Sequence, residues 1–262
     1  NMSRKFSISA GVKTLFIGRN QIHLSETAST NNYAAEMLRQ VGTIEGTVIT
    51  ADYQFGGRGQ RERQWKSAPK ENLLSTFVLK PTWLQLEKQF LLNKAIALAV
   101  HDTADAFSPG SFIRIKWPND ILLENKKLSG ILVENTVQSG QIVSTLAGIG
   151  FNVNQEKFDT DSGKPVSLKL ELGVSIDVKH VLETLSSFLE GWYLRLKSGK
   201  YDQIEDAYNA ALWRRGEWQE FTVEDEKFEG KIVGCDAMGK LKIEKRNAEI
   251  KSFSHGEIIL SL

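Results

Sequence analysis

The chain changes rhythm once, near residue 215, and that change limits the folds open to it. Before Arg214-Arg215-Gly216, apolar residues at helical spacing alternate with short β-branched segments. After it come only short strand-like segments, at 217–223, 227–233, 240–245, 249–253 and 258–260. So many strands in so brief a stretch read as a small barrel. We therefore expect an α+β protein. Residues 1–214 should form one domain of strands and helices, and residues 215–262 a small β domain.

The elements of the first part follow from local signals. Ala34, Met37, Leu38 and Val41 recur at helical spacing, and Ser29-Thr30-Asn31-Asn32 offers hydroxyl and amide caps just before them. Residues 47–53 are β-branched and read as a strand that runs into Gly56-Gly57-Arg58-Gly59. Residues 73–79 read as a strand stopped by Pro81, and 88–107 as a long buried helix rich in Leu, Ala and Ile. Residues 112–117 alternate and meet the turn signal Pro118-Asn119-Asp120. Segments 121–123 and 130–134 flank Asn125-Lys126-Lys127 as a hairpin, and 143–153 is a strand carrying Gly148 and Gly150. Residues 178–196 and 203–212 read as amphipathic helices.

Bulk properties exclude several function classes. The chain carries 33 basic against 32 acidic residues, too balanced for coating DNA or an anionic membrane, so any anion site must be local. The longest strictly apolar run is residues 95–100, far short of the ~20 needed to span a bilayer. No export signal is visible near the start. Cys235 is the single cysteine, so it forms no internal disulfide; it reads as a core residue of a protein in a reducing, cytoplasmic compartment.

Three stretches carry chemistry. The first, Gly56-Gly57-Arg58-Gly59-Gln60-Arg61-Glu62-Arg63-Gln64-Trp65-Lys66, sets four cations against one acid in an otherwise neutral chain. Its glycines permit close approach of backbone N–H groups to an anion, its arginines match phosphate, and Trp65 offers a flat face. The second is Lys116-Trp117-Pro118-Asn119-Asp120 with Lys127 and Gly130 beyond it. Lys, Asn and Asp meeting at a strand end suit a phosphate, a magnesium ion and a polar substrate group. The third is Gly148-Ile149-Gly150-Phe151-Asn152-Val153-Asn154, whose glycines suggest close approach to a strand. A solvated loop, an ordinary turn and a sheet bend are the plain alternatives for the three taken singly. Gly234 to Leu241 nearly matches a nucleotide-binding loop but lacks the Ser or Thr and the following helix, so we reject it. His23, His101, His180 and His255 lie far apart, in no catalytic motif, and read as structural.

Taken in order, these segments resemble biotin protein ligases. The resemblance rests on Ser29-Thr30-Asn31, Gln54, the loop 57–65, Lys116–Asp120 with its Trp-Pro-Asn core, Lys127 with Gly130, and Gly148-Ile149-Gly150-Phe151-Asn152; Gly256-Glu257-Ile258 is similar to the family's closing strand. Two positions depart from the family pattern: Gln60 stands where arginine is frequent, and Glu62 where glycine is common. The resemblance implies a catalytic domain of the class II synthetase and biotin ligase type, a mixed central sheet with helices, with an SH3-like β-barrel after it. It implies activation of biotin by ATP and magnesium to biotinyl-5′-AMP, then transfer to one lysine of a biotin carboxyl carrier domain of acetyl-CoA carboxylase or a related carboxylase.

The resemblance also implies residue roles. Ser29, Thr30, Asn31, Gln54, Gly57, Arg58, Lys127 and Gly130 would meet biotin; Arg58, Gln60, Arg61, Arg63, Trp65, Lys116, Asn119, Asp120 and Asn152 would meet ATP. Lys127, Arg61, Arg63 and Asp120 would be catalytic, with Asp120 also a magnesium contact. About two dozen residues precede Ser29, too few for the DNA-binding module of some relatives, so no DNA partner is expected. A monomer or a homodimer is expected, with no membrane partner. The rivals are a lipoate or octanoate protein ligase of the same fold and a nucleic-acid-binding module.

Overall fold

The computed structural model describes residues 14–40, 42–60, 63–159, 164–224, 226–258 and 260. Arg61 and Glu62 of the basic loop lie outside the described residues. A seven-stranded sheet is built from β1 (Gln21–Thr27), β2 (Val48–Gln54), β3 (Leu73–Leu79), β4 (Ile113–Lys116), β5 (Asp120–Leu123), β6 (Lys126–Gln138) and β7 (Gln141–Phe151). Its order is β1-β2-β3-β7-β6-β5-β4. β1 runs parallel to β2 and every other pair is antiparallel, so the sheet is mixed as expected.

Strand β3 is buried at all positions, which is why its sequence, apolar except for Ser75 and Thr76, does not alternate. The hairpin between β5 and β6 turns on Glu124 and Asn125, both at positive φ, a conformation that Asn tolerates. β1 was not expected. Only Ile22 and Leu24 are apolar in it; as a half-exposed edge strand it shows too little alternation to read.

Helices cover the two faces unequally. On one face α1 (Thr30–Gln40) sets Ala34 over Ile49, Val78 and Leu146. On the other, α2 (Gln89–Phe107), α4 (Val178–Lys197) and α5 (Tyr201–Ala211) pack over Val48, Phe77, Ala147 and Ile149 in the main core. A short α3 (Leu168–Leu172), also unexpected, is capped by Ser167. The eleven residues of α1 span only about 16 Å. From Gly148, beneath the start of α1, the same sheet face continues to Gly150 and Gly130 beyond its reach, and this leaves a hollow.

After residue 215 the structure is β8 (Trp218–Val223), β9 (Glu226–Cys235), β10 (Leu241–Lys245) and β11 (Ile250–Phe253), a separate antiparallel sheet in the order β11-β10-β9-β8. It stands where the small SH3-like unit is expected, but with four strands instead of five. Among the described residues, the segment expected at 258–260 forms only a bridge between His255 and Ile258. Phe221, Ile232, Leu241 and Ile243 join the same hydrophobic cluster as α2 and α5. Cys235 is packed in this seam, where burial pushes its thiol up to about 12. That agrees with its reading as a core residue, because an attacking cysteine needs a lowered value.

Candidate active site

The hollow is a cavity of about 870 Å³ on the α1 face of the sheet, within the range of small-molecule sites. Its wall runs from Ser29, Thr30, Asn31 and Gln54 at one end to Lys116, Asn119 and Asp120 at the other. Between β2 and β5 lie β3, β7 and β6. At the usual strand spacing that crossing is about 19 Å, long enough for an elongated ligand.

The first end is a closed polar network. Ser29, Thr30 and Asn31 are buried. The N–H of Thr30, at the start of α1, donates to Gln54 Oε1 at 2.7 Å, and its hydroxyl donates to the same oxygen at 3.1 Å. Gln54 thus satisfies a helix N-terminus that would otherwise be left open. The Thr76 hydroxyl donates to Asn31 Oδ1 at 2.6 Å, and Asn31 Nδ2 donates to Glu134 Oε2 at 2.7 Å. Gly148 is required beneath Asn31, because a Cβ there would overlap its amide. Arg58 is paired with Glu134 and also donates to Asn32 Oδ1 at 2.7 Å. It lines the cavity, but its guanidinium is committed to the α1 end. Glu134 has no place in any motif of the sequence, and nothing local marks it.

The basic loop closes on itself. Trp65 N–H donates to Gly57 carbonyl at 2.9 Å, Gly59 N–H donates to Arg63 carbonyl at 2.7 Å, and Arg58 bridges Gln64. Gly57 is buried behind the loop, where a Cβ would strike Trp65 carbonyl; it does not line the cavity. Gln60, Arg63 and Trp65 do. The indole of Trp65 lies directly on Gly150 and Gly130, which face each other across β7 and β6. A methyl group at either would overlap the ring, so the bare strands receive an aromatic side chain. Trp65 Nε1 and Gln60 Oε1 are buried and without a hydrogen-bond partner among the described residues. Both side chains line the cavity, where a ligand or water could supply the partner.

The second end is cationic. Lys127 Nζ lies 2.8 Å from Asp120 Oδ1 and 5.5 Å from the centre of the Trp65 ring. Lys116 and Asp120 are cross-strand neighbours on β4 and β5. Burial holds the Lys116 ammonium below the ordinary lysine value of 10.5; Asp120 opposes this, while Lys127, Arg63 and Arg214 add to it. Asn119 donates from Nδ2 to Ile131 carbonyl at 2.8 Å and its own carbonyl accepts from Ile131 N–H at 2.9 Å, pinning the turn to β6. Asn152 is buried behind Lys127, donating to Val166 carbonyl at 3.1 Å and Lys127 carbonyl at 3.4 Å; it does not line the cavity. Lys164 and the group His255, Gly256, Ile258 and Leu260 also line the wall. Sequence reasoning missed them as wall residues, although Gly256-Glu257-Ile258 is similar to the family's closing strand.

Asp120 is the only carboxylate on the described wall, and the described residues hold no cluster of three or more metal-ligating side chains. This donor set fits a magnesium ion that rides on phosphate oxygens and water with one carboxylate contact, not an ion caged by protein.

The comparisons with known proteins agree with this geometry. The Biotin/lipoate A/B protein ligase family matches residues 24–152. The bifunctional ligase/repressor BirA of Bacillus spizizenii is 31% identical over 247 residues, covering 93% of this chain and 75% of that protein. The chain belongs to the biotin/lipoate A/B protein ligase family. Another relative within this ligase family, the biotin–[acetyl-CoA-carboxylase] ligase of Paracoccus denitrificans, is 32% identical over 200 residues, 74% of this chain and 81% of that protein. Among solved structures, the biotin protein ligase of Aquifex aeolicus in complex with biotin and ATP superposes with a TM-score of 0.75 at 27% identity, covering 92% of this chain and 98% of that one. The family's mixed sheet and separate small β unit are therefore those seen here.

Proposed function

We propose that the cavity activates biotin with ATP and passes it to a lysine of a carboxyl carrier domain, so that the chain works as a biotin protein ligase. The observation that carries this reading is one continuous cavity with a small-residue polar end and a cation-rich end, joined over bare glycines by Trp65 and Lys127. Biotin occupies the first end. Hydroxyls of Ser29 and Thr30 and the amide of Gln54 meet its ureido ring, with Asn31 and Arg58 bracing them. The valeryl chain runs over Gly148 and Gly130 against Trp65.

The triphosphate occupies the second end. Carboxylate oxygen attacks the α-phosphorus, the bond to the β-phosphate oxygen breaks, and pyrophosphate leaves. The barrier is largely repulsion between anions, which Lys127, Lys116 and Arg63 counter. Lys127 must leave Asp120 to reach the reacting oxygens, and the nearby ligand charge replaces the carboxylate as its partner. Magnesium, when bound to the polyphosphate, neutralises further charge, and Asp120 would hold it. In the second step the acceptor amine attacks the carbonyl carbon of the mixed anhydride and AMP departs; Asp120 takes the proton that the ammonium must lose. We place this work in the cytoplasm, on a carrier domain of acetyl-CoA carboxylase or a related carboxylase. The chain acts as a monomer or homodimer. We also assign residues 1–214 as the catalytic domain and 215–262 as the small β domain.

Biotin-dependent exchange of label between ATP and pyrophosphate tests the reading. Exchange driven by biotin but not by lipoate or octanoate is the expected outcome; exchange driven by lipoate or octanoate instead would reverse the assignment.

A further inference from the structure

The segment after β11 brings a wall of its own to the cavity, through His255, Gly256, Ile258 and Leu260. That wall is held by the same turn that carries Lys116 and Asp120. Trp117, buried, donates its indole N–H to Gly239 carbonyl at 2.9 Å. The His255 ring stands edge-on to the Trp117 indole, with centroids 5.7 Å apart at 81°. Gly239 sits so close to Phe90 of α2 that a Cβ would overlap the ring. These contacts tie the position of His255 to α2 and to the β4–β5 turn, so it is placed at the cationic end and several strands away from Thr30 and Gln54.

Four cations on that end of the wall, Lys116, Lys127, Arg63 and Lys164, face a single carboxylate, Asp120. The excess calls for a polyanion. An imidazole offers an N–H donor in either tautomer, and when neutral it adds no further positive charge to a crowded cationic site.

We propose that His255 is a nucleotide-contacting residue, donating an imidazole N–H to the part of the ATP phosphate chain that leaves as pyrophosphate. The proposal rests on the ligase reading of the cavity. It is tested by ATP–pyrophosphate exchange in the wild type, His255→Ala, His255→Phe and His255→Gln, together with transfer to a carrier domain from added biotinyl-5′-AMP. His255→Phe keeps an aromatic ring against Trp117 but has no N–H to give. The Ala and Phe variants are expected to raise KM for ATP about tenfold, the scale of one lost hydrogen bond to a charged group. KM for biotin and the transfer from added adenylate should stay unchanged, and His255→Gln should recover part of the loss. A His255→Phe variant with wild-type KM for ATP would overturn the proposal by reducing His255 to a packing ring. So would an equal rise in KM for biotin or an equal loss of transfer, which would mark a displaced β unit. Absence of biotin-dependent exchange in the wild type would overturn the ligase reading itself, whereas exchange with unshifted variants would remove only His255.

Discussion

Lys127 lies 2.8 Å from Asp120 on the cavity wall. Lys127→Ala should lower the rate of pyrophosphate release by about 10²-fold or more, the scale of a lost transition-state donor; near-normal release would take Lys127 out of the reaction. Lys116 answers to pH. Its folded value is depressed, mainly by burial, so between that value and 10.5 the unfolded chain binds more protons than the folded one. Stability from this group therefore rises with pH across that window. Phosphates restore the charged form. ATP binding should take up a proton there, and ATP affinity should fall as pH rises through the folded value. Calorimetry in buffers of different ionisation heat would see the uptake, and Lys116→Met should abolish it. Equal uptake in that variant would assign the proton elsewhere. Lys127, Lys116 and Asp120 were readable as candidates because one short motif and one hairpin carry them. Glu134 was not, since its partners Arg58 and Asn31 stand 76 and 103 residues away along the chain.

At the level of elements, the stretch that leaves the basic loop, from Lys66 to Asn72, is fastened to the segment after β7. Gln155 Oε1 accepts from Ala68 N–H at 3.0 Å and from Asn72 Nδ2 at 2.6 Å, Asn72 Oδ1 accepts from Val153 N–H at 2.9 Å, and Lys66 pairs with Asp159 at 3.0 Å. A loop held in this way can close over an anhydride that water would destroy. Gln60 stands in this loop with an amide where the family frequently has a guanidinium, and its Oε1 is unpaired among the described residues. Gln60→Arg should slow escape of biotinyl-5′-AMP, because a charge-assisted bond to phosphate replaces a neutral group. A dialysis trap measures the release rate, and an unchanged rate would count against a retaining loop. Local pattern identified β2, β3 and α2 with little error, because β2 is rich in β-branched residues and β3 and α2 are largely apolar stretches of strand and helix length. It failed for β1 and α3, where too few residues are buried to leave a pattern.

For the whole molecule, the change of rhythm near 215 divides strand pattern but not core. Phe221, Ile232, Leu241, Ile243 and Ile258 share one hydrophobic cluster with α2 and α5, and Trp117 is gripped by Gly239 and His255. A fragment of residues 215–262 buries too little surface by itself to offset chain entropy. Produced alone, it should be unfolded by circular dichroism. A cooperative thermal transition in that fragment would show that the small sheet is self-sufficient.

Chain order alone determined most element positions and marked most of the charged and polar side chains that line the cavity as candidates. These are properties of local spacing and side-chain chemistry, which a linear string records. Tertiary structure alone decided that Arg58 turns to Glu134, that Trp65 rests on two facing glycines, that Asn152 braces Lys127 from behind, and that His255 joins the cavity. Each depends on strands distant in sequence becoming neighbours in a sheet, and spacing along the chain carries no record of that pairing.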